Sequence, residues 1–210
     1  DGRQINFNRF PLFFPEKRDF FLKGGGYFEF GARSAGGTTF LPFFTRRIGL
    51  YTGAIVPLLG GVKLTGEAGP FEIGLLDIQT DSTPAVDSEN LGVARLKYAA
   101  AEQTTFGLLA TNGDPSGATS NQVVGLDFYH RWPKFVGDLD LQAKIDVVTS
   151  TGSGAADDGE SFGADLQSRG RELAFEAGTR WVSSDFEPAL GFVTRRGTRS
   201  STLGGDYLPR

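Results

Sequence analysis

An all-β fold of consecutive antiparallel hairpins is predicted by three features of this sequence. Apolar and polar residues alternate with period two through most of the chain after residue 56. The links between the alternating segments are short and long by turns. No apolar run approaches the ~20 residues that a membrane-spanning helix needs; the longest, 54–62, contains Pro57, Gly60 and Gly61.

The front segment, 1–55, is aromatic-rich and irregular. Eleven of the 19 Phe residues lie before residue 45. A first strand is expected over 4–10. Pro15 suits the opening of a short helix, where its missing N–H is not needed, and Gly24-Gly25-Gly26 ends it. Gly36-Gly37 and Pro42 break the chain again. The segment 11–22 is expected to act as a plug or buttress. Its Phe residues would pack on an inner wall, with Glu16, Lys17, Arg18 and Asp19 in polar contacts; an ordinary first hairpin is the alternative.

The remainder, 56–210, reads as strands. In 138–147, Asp138, Asp140, Gln142, Lys144 and Asp146 fall on one face and Leu139, Leu141, Ala143, Ile145 and Val147 on the other. Only a strand separates two such sets. Val124, Leu126 and Phe128 alternate with Gly125, Asp127 and Tyr129. Phe162, Ala164 and Leu166 alternate with Gly163, Asp165 and Gln167. Leu173, Phe175, Ala177 and Trp181 alternate with Glu172, Glu176, Gly178 and Arg180. Less cleanly alternating strands are expected over 58–67, 71–80, 90–100 and 103–112. Roughly nine to eleven antiparallel strands should pair in sequence order.

The links 67–70, 100–103, 133–137 and 169–171 are tight. Between them lie the longer polar links 81–89, 113–120, 151–159 and 184–188. This strict alternation fits an up-and-down transmembrane β-barrel, of which the chain would form part, with one rim in the periplasm and one outside. Strands of about ten residues suit a tilted membrane crossing. Tyr98, Trp132, Phe135 and Trp181 sit near strand ends, as at a membrane–water boundary. A soluble β-sandwich or soluble barrel explains the alternation equally well. The link pattern, the charged polar faces and the lack of a Greek-key return favour the membrane form. The residues expected to line the lumen are Asp127, Asp138, Asp140, Lys144, Asp146, Asp165, Glu176 and Arg180. Leu139, Leu141, Ile145, Val147, Phe162, Leu166, Phe175 and Trp181 are expected to face lipid.

Composition narrows the function. The 210 residues carry 21 basic and 25 acidic side chains, for a formal charge of −4. That is not the basic surface a nucleic-acid partner demands. There is no Cys, which removes disulfides, thiolate catalysis and thiolate-ligated metals. There is no Met either, so a mature or excised piece of a longer chain is expected.

The run Arg3-Gln4-Ile5-Asn6-Phe7-Asn8-Arg9-Phe10-Pro11-Leu12-Phe13-Phe14-Pro15-Glu16-Lys17-Arg18-Asp19-Phe20-Phe21-Leu22 closely resembles a segment of a bacterial family of unknown function. Its members carry an N-terminal carbohydrate-binding family 9-like domain and a C-terminal outer-membrane barrel. Further similar stretches are Phe43-Phe44-Thr45-Arg46-Arg47-Ile48-Gly49-Leu50, Pro57-Leu58-Leu59-Gly60-Gly61-Val62-Lys63-Leu64-Thr65-Gly66, Gly74-Leu75-Leu76-Asp77-Ile78-Gln79-Thr80-Asp81 and Asp185-Phe186-Glu187-Pro188-Ala189-Leu190-Gly191-Phe192-Val193. The family continues after Leu22 with a Glu-Asn-rich stretch; here Lys23-Gly24-Gly25-Gly26 follows. The resemblance implies the start and first part of the barrel region, in the outer membrane of a Gram-negative bacterium. It implies oligosaccharide as a ligand class, although no residue of the sugar-binding domain is present here.

No motif in the sequence carries catalysis. His130, the single histidine, has no nucleophile motif beside it and is expected to be structural or interfacial. Asp138 and Asp140, two residues apart on one strand, have a spacing that permits a glycosidase pair; charges lining a lumen account for them as well. Asp81, Asp87 and Glu89, and Asp157, Asp158 and Glu160, read as solvated loop acids rather than a cation site. Gly24 to Gly26 lacks a phosphate loop's context. Arg46-Arg47 and Arg195-Arg196 suit lipopolysaccharide phosphates or lumen carboxylates. The expected protein is a non-enzymatic channel, receptor or envelope-complex component without a cofactor. Its partners would be outer-membrane lipid or lipopolysaccharide, oligosaccharide and other envelope proteins. A surface carbohydrate-active hydrolase and a soluble β-sandwich binding module are the alternatives.

Overall fold

The computed structural model describes residues 13–31, 34–35, 38–152 and 158–207. The strand expected over 4–10 lies outside them. A one-turn helix, α1 (Asp19–Leu22), and a 3-10 turn, Gly25–Phe28, are followed by four short strands: β1 (Ser34–Ala35), β2 (Thr38–Leu41), β3 (Leu50–Tyr51) and β4 (Ala54–Ile55). Long strands then succeed one another: β5 (Leu58–Ala68), β6 (Phe71–Thr80), β7 (Asn90–Ala101), β8 (Thr104–Asn112), β9 (Asn121–Val136), β10 (Leu139–Gly152), β11 (Gly159–Arg169) and β12 (Leu173–Val182). The short β13 (Phe192–Val193) and the long β14 (Thr198–Tyr207) complete the order.

The nine long strands make one antiparallel sheet in the order β14-β12-β11-β10-β9-β8-β7-β6-β5. Each pairs with its neighbour in sequence, apart from the detour through β13. The all-β, up-and-down expectation therefore holds at this level. The described residues form no closed barrel: β5 and β14 stand at opposite edges of the sheet.

The junction of β9 and β10 differs from expectation in two ways. Asp138 belongs to the turn between β9 and β10, not to a strand. β9 runs on through Pro133 to Val136, where a tight link was expected. Pro133 has no N–H to give the ladder. The register with β10 shifts at this point, and Lys134 takes a left-handed φ of 54°. A bulge thus carries the strand past its proline.

The two faces of the sheet differ in kind. One is covered by a strap, residues 13–31 and 38–56, together with the β12–β14 connection. Phe21, Phe28, Phe30, Phe40, Phe43 and Ile48 from the strap, and Phe186 and Leu190 from the connection, pack on Leu76, Leu91, Val93, Leu109, Val123, Val148 and Val182. β2 lies between β1 and β13, and its pairing with β13 ties the strap to the β12–β14 connection. The other face is open, and it is apolar. Leu126 there is 56% exposed, Leu64 57%, Phe106 50% and Val147 45%.

The start of the strap is held by its own ionic knot. Glu16 accepts hydrogen bonds from the Lys17 and Arg18 backbone N–H groups, both at 2.9 Å, and from the Arg18 side chain. Arg18 in turn donates to the carbonyls of Ile48 (2.7 Å) and Thr45 (2.8 Å) and lies over the Phe21 ring. Burial pushes the Glu16 carboxyl up, but the hydrogen bonds from Arg18, Thr45 and Lys17 outweigh it and hold the group down at about 2. A depressed carboxyl stabilises the fold above its unfolded value, near 4.5, and loses that contribution as pH falls toward about 2. The cysteine-free chain allows a single label through Phe13→Cys. Its mobility is expected to rise as pH drops from about 4.5 to 2 in the parent. The step should vanish in Glu16→Gln, and a step of equal size in that variant would contradict the assignment.

Candidate functional site

The covered face carries a row of charges beneath the strap. Register places Gly107, Asp127, Asp146, Gly163 and Arg180 side by side across β8, β9, β10, β11 and β12. Asp127 and Asp146 are direct cross-strand partners, so two carboxylates stand opposite each other, an arrangement that is unfavourable unless each is neutralised.

Each has its own arginine, reaching in from opposite sides. Arg95 on β7 grips Asp127 with both terminal nitrogens, at 2.7 and 2.8 Å. Arg180 grips Asp146 at 2.5 and 2.9 Å. Both arginines pass over a glycine: a Cβ on Gly107 would overlap the Arg95 guanidinium, and one on Gly163 that of Arg180. These glycines are slots that let a planar fork lie flat against the sheet. The Arg180–Asp146 side chains are fully buried, and that of Arg95 is 1% exposed. Bidentate geometry is what makes such burial tolerable.

The strap rests on this row. The Phe30 ring centroid lies 5.1 Å from the Arg95 Cζ and the Phe40 centroid 4.1 Å from that of Arg180. Both are cation–π contacts in a water-poor place, where they are strongest. Arg95 Nε donates to Glu29 O at 3.0 Å, and the Gly31 N–H donates to Asp127 at 3.2 Å. Two Asp–Arg–Phe clamps therefore fasten the strap to β7–β12.

Of the expected lumen residues, Asp127, Asp140, Lys144, Asp146, Asp165, Glu176 and Arg180 share the covered-face parity. Asp138 does not belong to that set; from its turn it accepts the Arg171 N–H at 3.2 Å. Asp140 pairs with Arg131 and with the Lys134 N–H. Each acid of the supposed glycosidase pair thus has its own turn partner. Asp165 sits among Lys144, Asp146, Glu176 and Arg180. Of the residues expected on the apolar face, Ile145, Val147, Phe162 and Trp181 are exposed, whereas Leu141 on the same face is buried. His130 also lies there, its Nδ1 2.8 Å from the Thr104 hydroxyl and its ring 4.2 Å from Trp132. Among the described residues no cluster of His, Asp and Glu has metal-binding geometry. Arg95, Gly107 and Gly163 were missed in the sequence. A glycine within a strand pattern is the signal that marks such a close approach.

At the long-link rim the strap, the 113–120 link and the β12–β14 connection enclose a cavity of about 600 Å³. The β3–β4 hairpin lines it through Leu50 and Tyr51. Its turn has positive φ at both Thr52 (47°) and Gly53 (86°), the geometry of a tight two-residue hairpin. Asn121 braces the opposite wall, donating to Glu187 O at 2.8 Å and accepting from the Ala189 N–H at 3.0 Å. Above the wall, burial and the neighbouring charge of Asp114 push the Glu89 carboxyl up. No family model, curated protein or solved structure matches the chain.

Proposed function

We propose that this chain forms wall strands of a Gram-negative outer-membrane β-barrel, and that the protein is a non-enzymatic, plugged receptor rather than an open pore. The observation that carries the reading is the polarity of the sheet. Most strand charges lie on the face packed under the strap, whereas the large apolar side chains left exposed lie on the face that the described residues do not cover; the charges on that open face, Asp77, Glu160 and Arg199, stand toward the long links. Water would penalise that arrangement across a patch this wide; lipid requires it.

The open face is banded as a bilayer is. Asp77, Asn112, Gln122 and Thr151 form a polar row near the long links. Below it come rows built on Leu126 and Phe128, and toward the tight turns an aromatic group of Phe71, Tyr98, Phe106, Trp132 and Phe135. The eleven steps from Val124 to Phe135 cover about 36 Å of strand, or about 27 Å in height at a tilt of ~40°, close to the ~25 Å apolar band of such barrels. Each backbone group left unpaired in hydrocarbon costs several kcal/mol. In this reading further strands continue the wall from the unpaired edges of β5 and β14 until it closes. The family resemblance, with its barrel and its sugar-binding neighbour, belongs with the same reading.

The strap supports plug over pore, because it fills the covered face with rings fastened by two buried ion pairs. The test is accessibility in membranes. With single cysteines at positions 144 and 145, a water-soluble thiol reagent should leave Ile145→Cys unmodified and react with Lys144→Cys. Ready reaction at 145 alone would sink the membrane reading. Large steady conductance of the full protein in a planar bilayer would sink the plugged one.

A further inference from the structure

We infer that the cavity at the long-link rim is a binding site for a neutral, hydroxyl-rich ligand of oligosaccharide type, with the strap as one of its walls. The inference deepens the receptor reading and rests on it for the side from which the ligand arrives. The ligand class follows from the chemistry of the lining.

The acidic groups of the cavity each have partners within the protein. Asp114 accepts from the Ser116 N–H and hydroxyl and from Thr119. Glu187 is paired with Arg196 at 3.2 Å, and Asp185 accepts from Ser184. A ligand with large net charge would meet like charge in either case, the Asp114 and Asp185 carboxylates for an anion and the Arg47 guanidinium for a cation. What stays available is uncharged or a directed donor. Arg47 is anchored by its Nε to Gly191 O at 2.8 Å. Among the described residues its terminal nitrogens have no other partner, and the hydroxyl of Tyr51 has none. A pinned guanidinium offers its outer N–H groups at little further entropic cost. Hydroxyls that both donate and accept match ligand hydroxyls, which do the same. Between them lie Leu50, Pro115, Pro188 and Val193, apolar surface of the kind that receives the C–H faces of a sugar ring. A volume of about 600 Å³ falls within the ~300–1,000 Å³ of small-molecule sites.

The site is also composite. Arg47 and Tyr51 come from the strap, Ser150 from the end of β10, and Gly191 from the connection that carries β13. A ligand bridging them contacts the plug and the wall together, as a receptor that senses its cargo must.

The experiment measures binding by the full protein in nanodiscs, by calorimetry and saturation-transfer NMR. The probes are maltotriose and xylotriose, with inorganic phosphate and acetate as anionic comparators. At least one trisaccharide should bind saturably, and neither anion should compete. Arg47→Gln should weaken binding about tenfold or more, and Tyr51→Phe several-fold, from loss of one hydrogen bond. Arg171→Gln, at the opposite rim, should leave it unchanged. Tyr51→Phe is near-isosteric and keeps the test sound should Arg47→Gln disturb the strap. The inference is overturned if neither trisaccharide binds, if Tyr51→Phe binds like the parent, or if phosphate displaces the sugar. The 144/145 labelling is repeated on the same sample. Failure of binding with the expected labelling removes the ligand alone; failure of the labelling removes the receptor reading beneath it.

Discussion

Arg180→Ala is expected to cost about 3–5 kcal/mol of stability, because it leaves the Asp146 carboxylate buried without its partner. Both side chains of the pair are fully buried, so water cannot take over. Phe40 also loses the cation beneath its ring, and β2 loses part of its hold on the sheet. Urea unfolding in lipid vesicles measures the loss. The control is the double change Arg180→Met with Asp146→Leu, which removes both charges and keeps most of the volume. It should lie close to the parent or above it, since a buried pair often does no better than apolar packing. A loss below about 1 kcal/mol for the single variant would show that the clamp is not buried in the folded protein.

Leu126→Arg is expected to cost about 2–4 kcal/mol in a bilayer, as a guanidinium near mid-depth on the lipid face of a barrel does. Leu126 lies in the middle of the open face and is 56% exposed. On a water-facing sheet the same change would alter stability by no more than about 0.5 kcal/mol and would improve solubility. The two environments therefore predict different outcomes for one substitution. The depth profile is a further check. Gln122→Arg, in the polar row of β9, should cost about 0–1 kcal/mol. Equal costs at 122 and 126 would contradict the banding.

The strands were legible because alternation is a local property. The 71–80 expectation coincides with β6, 58–67, 90–100 and 103–112 each miss by one residue at one end, and the later strands run further than their alternating stretches. Strands 58–112 alternated poorly for a reason visible in the structure. Near the long links the covered face is itself apolar, with Leu76, Leu91, Val93 and Leu109 packed under strap rings. Both faces of these strands are therefore hydrophobic, as in the consecutive Leu75 and Leu76. Farther along, the same face turns ionic, and Arg95 stands two residues from Val93. Its pairing with Asp127 spans two strand–strand steps, which no local pattern encodes. The strap was legible only as aromatic density broken by glycine and proline. That β2 would pair with a two-residue β13 depends on contacts across some 150 positions of sequence, and neither strand is long enough to show a period. The bulge at Pro133 and the exclusion of Asp138 from β10 went unread because a tight link and a bulged strand end contain the same residues.

The strap also imposes an order of events on folding. Its residues precede the sheet's strands, yet their contacts lie far downstream: Gly31 waits for Asp127, Phe40 for Arg180, and Thr39 for Thr194. Contacts of such sequence separation are slow to form, because their loops must close before they are rewarded. A segment made before the sheet is thus the last to find its place. Until β12 and β13 are laid down, a stretch dense in phenylalanine has nothing of its own to cover it. During that interval the chain depends on being held soluble, and the docking of Phe30 and Phe40 marks the moment when it no longer does.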